Sequence, residues 1–260
     1  MSRKMKAILA LMLALTGIGV MAYPALSSFL NARNGSFAIQ ELEKTVEKAE
    51  QGELAAQRAL AKSYNASLAE GVVPEDYSQI LDFGDGVMGY LRIPKIRVSL
   101  PVCHGVSEEV LATSVGHMPE SAFPIGGEGN HSVLTGHTGH PTAELFTDLS
   151  ELAEGDGFQL RILGDTLHYQ VDQISVVLPD EVEKLAAVPG KDYCTLVTCT
   201  PYGINSHRLL VRGVRVMQPE EETSGIQTYE DPAFPPELLL AVVAAGGILA
   251  AMAVLILRKR

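Results

Sequence analysis

An apolar run stands at each end of this chain, and the pair limits what the residues between them can become. Ala7–Ala22 is nearly unbroken by polar residues and follows Arg3, Lys4 and Lys6; Leu238–Leu257 carries no charge and precedes Arg258, Lys259 and Arg260. The second run has about the twenty residues that a helix needs to cross a bilayer. A buried core helix is the poorer reading of it, because so long an apolar run directly before a basic terminus rarely belongs to a soluble domain. Two readings fit the first run. It is an anchor that stays in place, or a signal peptide for which Ala22-Tyr23-Pro24-Ala25 offers a poor small-residue cleavage site. The anchor is the reading taken here. Basic flanks mark the cytoplasmic ends of membrane helices. Both termini are therefore expected in the cytoplasm, with everything between the two spans facing outward from the cell membrane.

That intervening stretch is acidic. The chain has 20 Lys and Arg against 31 Asp and Glu, six of the basic residues lie in the two tails, and no acid precedes Glu41. Such a field argues against nucleic acid or an anionic membrane surface as ligand, and it suits an amine such as a lysine side chain. With 260 residues, 47% of them apolar, the chain can build one sizeable domain with extras. Residues 1–30 are the anchor or signal segment, 31–85 a helical stalk and loop, and 86–217 the folded domain. A linker rich in acids and prolines, 218–236, then leads to a second membrane helix with its basic tail, 237–260.

Ile39–Leu68, rich in Ala, Glu, Lys, Gln and Leu, predicts helix, with Leu42, Val46, Ala49, Leu54 and Leu60 as an intermittent apolar stripe and Gln51-Gly52 as a point of division. It reads equally as a spacer packed on the domain or as a stalk. Residues 71–86 are loop-like, with Pro74, Gly84 and Asp85-Gly86 as breakers. Short extended segments follow at Gly89–Ile93, Val98–Val102, Ser132–Thr135, Phe158–Leu163, Leu167–Val171, Ile174–Val177, Thr195–Thr198 and Leu209–Val216. Their spacing and turn residues predict an all-β domain, a closed eight-stranded barrel. Short helices are expected at Ser107–Thr113, Ala143–Leu149 and Asp180–Ala186.

Reactive chemistry gathers in Thr195–Gly213, which reads as strand, loop, strand, with Pro201-Tyr202-Gly203 breaking the ladder. Cys199 ends the first strand and Arg208 opens the second. Side by side, they would put a thiol and a permanent cation at one end of a sheet. An Arg near a Cys favours the thiolate, and its fork of donors can hold a carbonyl oxygen as negative charge develops there. Among seven histidines, His137 alone ends a convincing strand within a Gly-His-x-Gly loop, where backbone can approach a ligand closely. His140 is the runner-up, and most of His104, His117, His131, His168 and His207 read as surface residues. Arg212 lies on the face of Arg208 but well away from the loop end. Cys103, Cys194 and Cys199 fit neither Cys-x-x-Cys nor a zinc ribbon. On an extended strand Cys194 and Cys199 point to opposite faces, which makes Cys194 a core residue and Cys199 the thiol free to react. A bridge between Cys103 and Cys194 stays open.

Thr195-Leu196-Val197-Thr198-Cys199, an Arg nine positions after the Cys and a Gly-His about sixty residues earlier resemble the sortase family. The likeness continues through Gly89–Pro94, Phe123–Gly127, Pro141–Phe146 and Tyr169–Val171, over roughly residues 86–217. Thr200-Pro201-Tyr202-Gly203-Ile204-Asn205-Ser206-His207-Arg208, with an apolar segment at each end of the chain, is most similar to class C, the pilin polymerases. The resemblance implies a sortase-type barrel and a cysteine transpeptidase with Cys199, His137 and Arg208 as its catalytic residues. It implies a Leu-Pro-x-Thr-Gly (LPXTG) sorting signal cut between Thr and Gly, and a lysine amine of a pilin as acceptor. Attachment of surface proteins to cell-wall peptide and plain peptidase release are the competing enzyme readings, and a tethered scaffold is the one outside enzymology. The mechanism requires no cofactor and no metal. One departure stands out: class C members commonly carry an Asp-Pro-aromatic lid in the region of residues 71–86. Here Asp76-Tyr77 lacks the proline, and Asp231-Pro232 lies beyond the domain. The expected site is therefore open or differently gated.

Overall fold

A computed structural model of the chain describes residues 3–74, 76–84, 86–217 and 233–257. Helix α1 (Arg3–Lys48) runs for 46 residues and is about 69 Å long at 1.5 Å per residue. Only part of that length fits within a bilayer. Its second half packs on the domain instead: Ser36, Ile39 and Leu42 are buried, and the Tyr90 hydroxyl donates to Glu43 Oε1 at 2.7 Å. After a break at residues 49–50 the chain re-enters helix α2 (Gln51–Ala69), which turns Ala61, Tyr64 and Asn65 inward. Leu54 and Leu68 pack on the same core, whereas Leu60 stays 45% exposed. The predicted stripe thus erred at Leu60, which lies about 100° around the helix from Ala61 and off the line of residues 54, 61 and 68.

Eight strands follow: β1 (Val87–Ile93), β2 (Val98–His104), β3 (Val115–His117), β4 (Asn130–Thr135), β5 (Gly157–Ile162), β6 (Asp165–Val177), β7 (Asp192–Thr200) and β8 (His207–Val216). They close into a barrel in the order β1-β2-β3-β4-β7-β8-β6-β5, with β5 returning to β1. The count matches the expectation, but the set differs in two places. Val115-Gly116-His117 is too short and too interrupted by glycine to show a pleat in sequence; pairing with β2 on one side and β4 on the other makes it a strand. Leu167–Val171 and Ile174–Val177 are halves of one strand, bent where the register with β8 shifts between Val171 and Gln173. The shift lifts Asp172 out of the ladder, where both its oxygens accept from Arg212, each at 2.9 Å.

Helix α3 (Glu108–Leu111) joins β2 to β3, its start capped by Ser107, whose hydroxyl accepts from the Val110 amide at 3.4 Å. The other two expected helices are single 3-10 turns at Thr147–Glu151 and Glu183–Leu185. Residues 218–232 of the expected linker and the basic tail at 258–260 lie outside the described residues. Helix α4 (Pro236–Leu257) closes the chain. Both α1 and α4 are long and apolar enough to cross a membrane, and the Phe29 and Phe234 rings meet edge to face at 5.4 Å.

Segment 76–84 lies between α2 and the barrel. The Tyr77 hydroxyl meets His117 Nδ1 at 2.9 Å and accepts from the Gly105 amide at 3.0 Å, and its ring stacks against Phe123 and His117. Asn65 makes the complementary clamp from α2: its Nδ2 donates to the Phe123 carbonyl at 3.1 Å and its Oδ1 accepts from the Phe123 amide at 2.7 Å. Both backbone groups are buried, so removing the amide strands a donor and an acceptor away from water. Asn65→Ala is expected to destabilise the domain by about 2–4 kcal/mol, read as a lowered urea midpoint of the full-length protein; a change below about 0.5 kcal/mol would show that α2 is not structurally coupled to the barrel through this pair.

Candidate active site

Strand β7 sits between β4 and β8, and the three run out at one rim of the barrel. Cys199 is the register partner of Arg208 in the antiparallel β7–β8 ladder. Directly opposed residues share a face and hold their Cβ atoms about 5 Å apart. The parallel β4–β7 ladder is in register up to Thr135 and Val197. It then extends by two contacts: the Gly136 amide donates to the Val197 carbonyl at 3.0 Å, and the buried Thr198 hydroxyl donates to the Gly136 carbonyl at 2.7 Å. His137 thus leaves β4 where β7 reaches Cys199, so His137 and Arg208 flank the cysteine from its two neighbouring strands.

Alternation along β7 decides which way the thiol faces. Cys194 and Leu196 belong to the central core, whereas Val197 packs with Val133, Val177 and Leu210 in a second cluster on the other side of the sheet. Cys199 lies on the Val197 face, outside the barrel, and is partly exposed. Cys194 is fully buried, and burial, with Asp192 adding to it, holds its thiol well above the ordinary range. Burial also raises Cys103, against a hydrogen bond from Ser114. All three cysteines are free. A bridge between Cys103 and Cys194 would have to cross three strand spacings, about 14 Å, against a Cα limit near 7 Å.

The histidine loop is shaped by its glycines. A Cβ on Gly136 would stand 2.7 Å from the Phe146 ring, and one on Gly139, at φ +66°, would stand 2.6 Å from the Tyr202 ring. Glycine therefore lets the Phe146 ring lie against residue 136 and lets the β7–β8 loop close over residue 139. The His137 carbonyl accepts from the Phe146 amide at 3.0 Å, and the Thr147 hydroxyl accepts from the Gly139 amide at 3.1 Å. The His137 ring stacks on His140 at 5.5 Å, and its Nε2 is buried without a hydrogen bond, 3.6 Å from Glu108 Oε1. Arg208 Nη1 donates to the Asn205 and His207 carbonyls at 3.3 and 3.1 Å. Among the described residues its Nε and Nη2 carry no protein hydrogen bond, so part of the guanidinium fork remains for a ligand.

Other candidates separate cleanly. His117, His131 and His168 are buried rather than on the surface. Burial pushes His117 down to about 4, and His131 is tied to the Ala186 carbonyl and the Thr195 hydroxyl. Arg212 is committed to Asp172 and lies over the Tyr193 ring at 4.2 Å. Hydrogen bonds and ring contacts of segment 76–84 run to Gln57, Tyr64, His104, Gly105, His117 and Phe123. Among the described residues none reaches Cys199, His137 or Arg208. Sequence gives no signal for Glu108 beyond its place in the expected helix at Ser107–Thr113, because 29 residues separate it from His137 and only the fold joins them. No cluster of metal-ligating side chains occurs among the described residues.

A Cys, a His and an Arg on three adjacent strand ends of a closed barrel invite comparison with known proteins. A model of the sortase domain matches residues 91–216. Sortase C1 of Streptococcus agalactiae is 45% identical and superimposes with a TM-score of 0.67 over 70% of this chain and 99% of that one. The chain belongs to the sortase family. Sortase C of Clostridium perfringens, solved with a C-terminal cell wall sorting motif, is 40% identical with a TM-score of 0.64, over 70% of this sortase and 98% of that one. A more distant relative is sortase A of Streptococcus agalactiae serotype III (strain NEM316), 26% identical over 200 residues, 74% of this chain and 77% of that one. Sortases are cysteine transpeptidases, and class C members are among the close structural neighbours of this one.

Selective alkylation tests the burial difference among the thiols. Iodoacetamide is expected to label Cys199 in the native full-length sortase and to leave Cys103 and Cys194 until denaturant is added, as read by peptide mass spectrometry. Equal labelling of Cys194 would contradict the register of β7.

Proposed function

We propose that this sortase is a membrane-anchored transpeptidase that cuts an LPXTG-type sorting signal between Thr and Gly and transfers the acyl group to a lysine amine of a pilin subunit. The observation that carries the catalytic assignment is the flanking of Cys199 by His137 and Arg208 on neighbouring strand ends. A thiol near its ordinary value of about 8.5 is mostly protonated at neutral pH, and the thiolate is the nucleophile. A guanidinium on one side and an imidazole on the other favour that thiolate.

Attack of Cys199 on the Thr carbonyl places negative charge on the carbonyl oxygen, where the free donors of Arg208 can meet it. His137 protonates the departing Gly amine, leaving a thioester on Cys199. The lysine amine then attacks the thioester, the C–S bond breaks, and an isopeptide bond replaces it. The basic ends would lie in the cytoplasm and residues 86–217 outside the cell, where sorting signals and pilins are met. Likeness to class C favours pilin polymerisation over cell-wall attachment. Among the described residues, the hydrogen bonds and ring contacts of segment 76–84 do not reach Cys199, which supports a site without an Asp-Pro-aromatic lid.

Mass spectrometry of full-length protein in detergent, incubated with an LPXTG peptide, a pilin peptide bearing the acceptor lysine and a peptidoglycan stem peptide, is the test. The expected product is the Thr-terminated fragment joined to the lysine side chain. Only the hydrolysed fragment, or transfer only to a peptidoglycan stem peptide, would overturn the pilin assignment. Cys199→Ala is expected to abolish the thioester, and His137→Ala and Arg208→Ala each to lower kcat/KM by about a hundredfold or more.

A further inference from the structure

The rim around Cys199 is electrically lopsided. On the β8 side stands the Arg208 cation. On the β4 side, Glu108 Oε1 lies 3.6 Å from His137 Nε2. The Glu108 side chain is 82% exposed and pairs with no Lys or Arg among the described residues. Its backbone is nonetheless fixed. Ser107 caps the helix that it opens, and Gly105, three residues earlier, donates its amide to the Tyr77 hydroxyl at 3.0 Å. An accessible carboxylate on an anchored backbone therefore faces solvent directly beside a ring nitrogen that has no hydrogen bond.

We propose that Glu108 is the acceptor-side recognition residue: it binds the ammonium of the incoming amine and presents it to His137. The inference rests on the transpeptidase reading above. A lysine amine, with an ordinary value of about 10.4, arrives as an ammonium that cannot attack a carbonyl. It must be held against the repulsion of Arg208 and lose a proton at the site. Glu108 supplies the opposite charge on the side of β7 away from Arg208. The loose 3.6 Å contact, too long for a hydrogen bond, is one that an ammonium can replace.

Once acylation has left His137 neutral, the ammonium gives one proton to the imidazole. The free amine attacks the thioester carbonyl, and the C–N bond forms. The second nitrogen proton leaves to solvent as the C–S bond breaks. Cys199 is released as thiolate beside the protonated His137, and protons and charge balance. The acyl donor is then read on the arginine side and the nucleophile on the glutamate side, so one small rim separates two peptide substrates by charge.

The test compares two nucleophiles on the same full-length protein in detergent: a lysine amide, charged at neutral pH, and hydroxylamine, uncharged there. Glu108→Gln is expected to lower kcat/KM for the lysine amide about twofold to fivefold relative to its own value for hydroxylamine, the scale of one largely solvated ammonium–carboxylate contact. Glu108→Asp is expected to restore part of that preference. An unchanged ratio, whether both nucleophiles slow together or neither does, would overturn the proposal, because a residue that only orients His137 cannot tell a charged amine from a neutral one. Failure of the unaltered protein to form any thioester with the sorting peptide would instead overturn the transpeptidase reading, and is seen before an amine is added.

Discussion

The register of β7 is the constraint on which the site depends. A slip by one residue against β4 and β8 would turn Cys199 into the barrel and bring Cys194 out, because successive side chains on a strand face opposite ways. Several contacts hold the register. Leu196 is fully buried in the central core, and Val197 packs with Val133 and Leu210 on the outer side. The Thr198 hydroxyl ties the strand to Gly136, and the Thr195 hydroxyl meets His131 Nε2 at 2.7 Å. Each contact is local, and together they place one thiol of three at the surface and beside two partners.

Closure of the barrel makes this alignment possible. β7 pairs with β4 in parallel and with β8 antiparallel, so the end of β4, the end of β7 and the start of β8 meet at one rim. Residues 62 and 9 positions from the cysteine become its neighbours through the pairing of these strands. The N-terminal helices and the segment after them pack on the barrel. Asn65 clamps Phe123, Tyr77 packs against His117 and Phe123, and α1 lies along β1 through Glu43 and Tyr90. Ile39 and Leu42 of α1 are buried against the domain, and Tyr77, Ile80 and Leu81 pack into its core, whereas Val72 and Val73 stay exposed.

Much of this was legible in the residues themselves. The spacing of short extended segments and the turn residues between them announced the barrel, and the Thr-Leu-Val-Thr-Cys strand with Arg208 opening the next made the pair at the rim readable. What escaped was set by partners rather than by pattern. His117 looks like a surface histidine until the Tyr77 and Phe123 rings are seen to cover it, and β3 is a strand only because β2 and β4 supply its hydrogen bonds. Asp172 gives no sign in sequence that a bulge will present it to Arg212. Glu108 is an ordinary helix-start acid until β2 and β4 bring it to His137.

The central claim is spatial: an acyl group on Cys199 lies between the guanidinium of Arg208 and the imidazole of His137. A crystal structure of the full-length protein carrying a sorting-signal analogue joined to the Cys199 sulfur would test it most directly. The account predicts the carbonyl oxygen of the bound residue within hydrogen-bond distance of Arg208 and the leaving-group side facing His137. A structure in which Arg208 still spends its donors on the Asn205 and His207 carbonyls, with the analogue bound elsewhere on the rim, would contradict it.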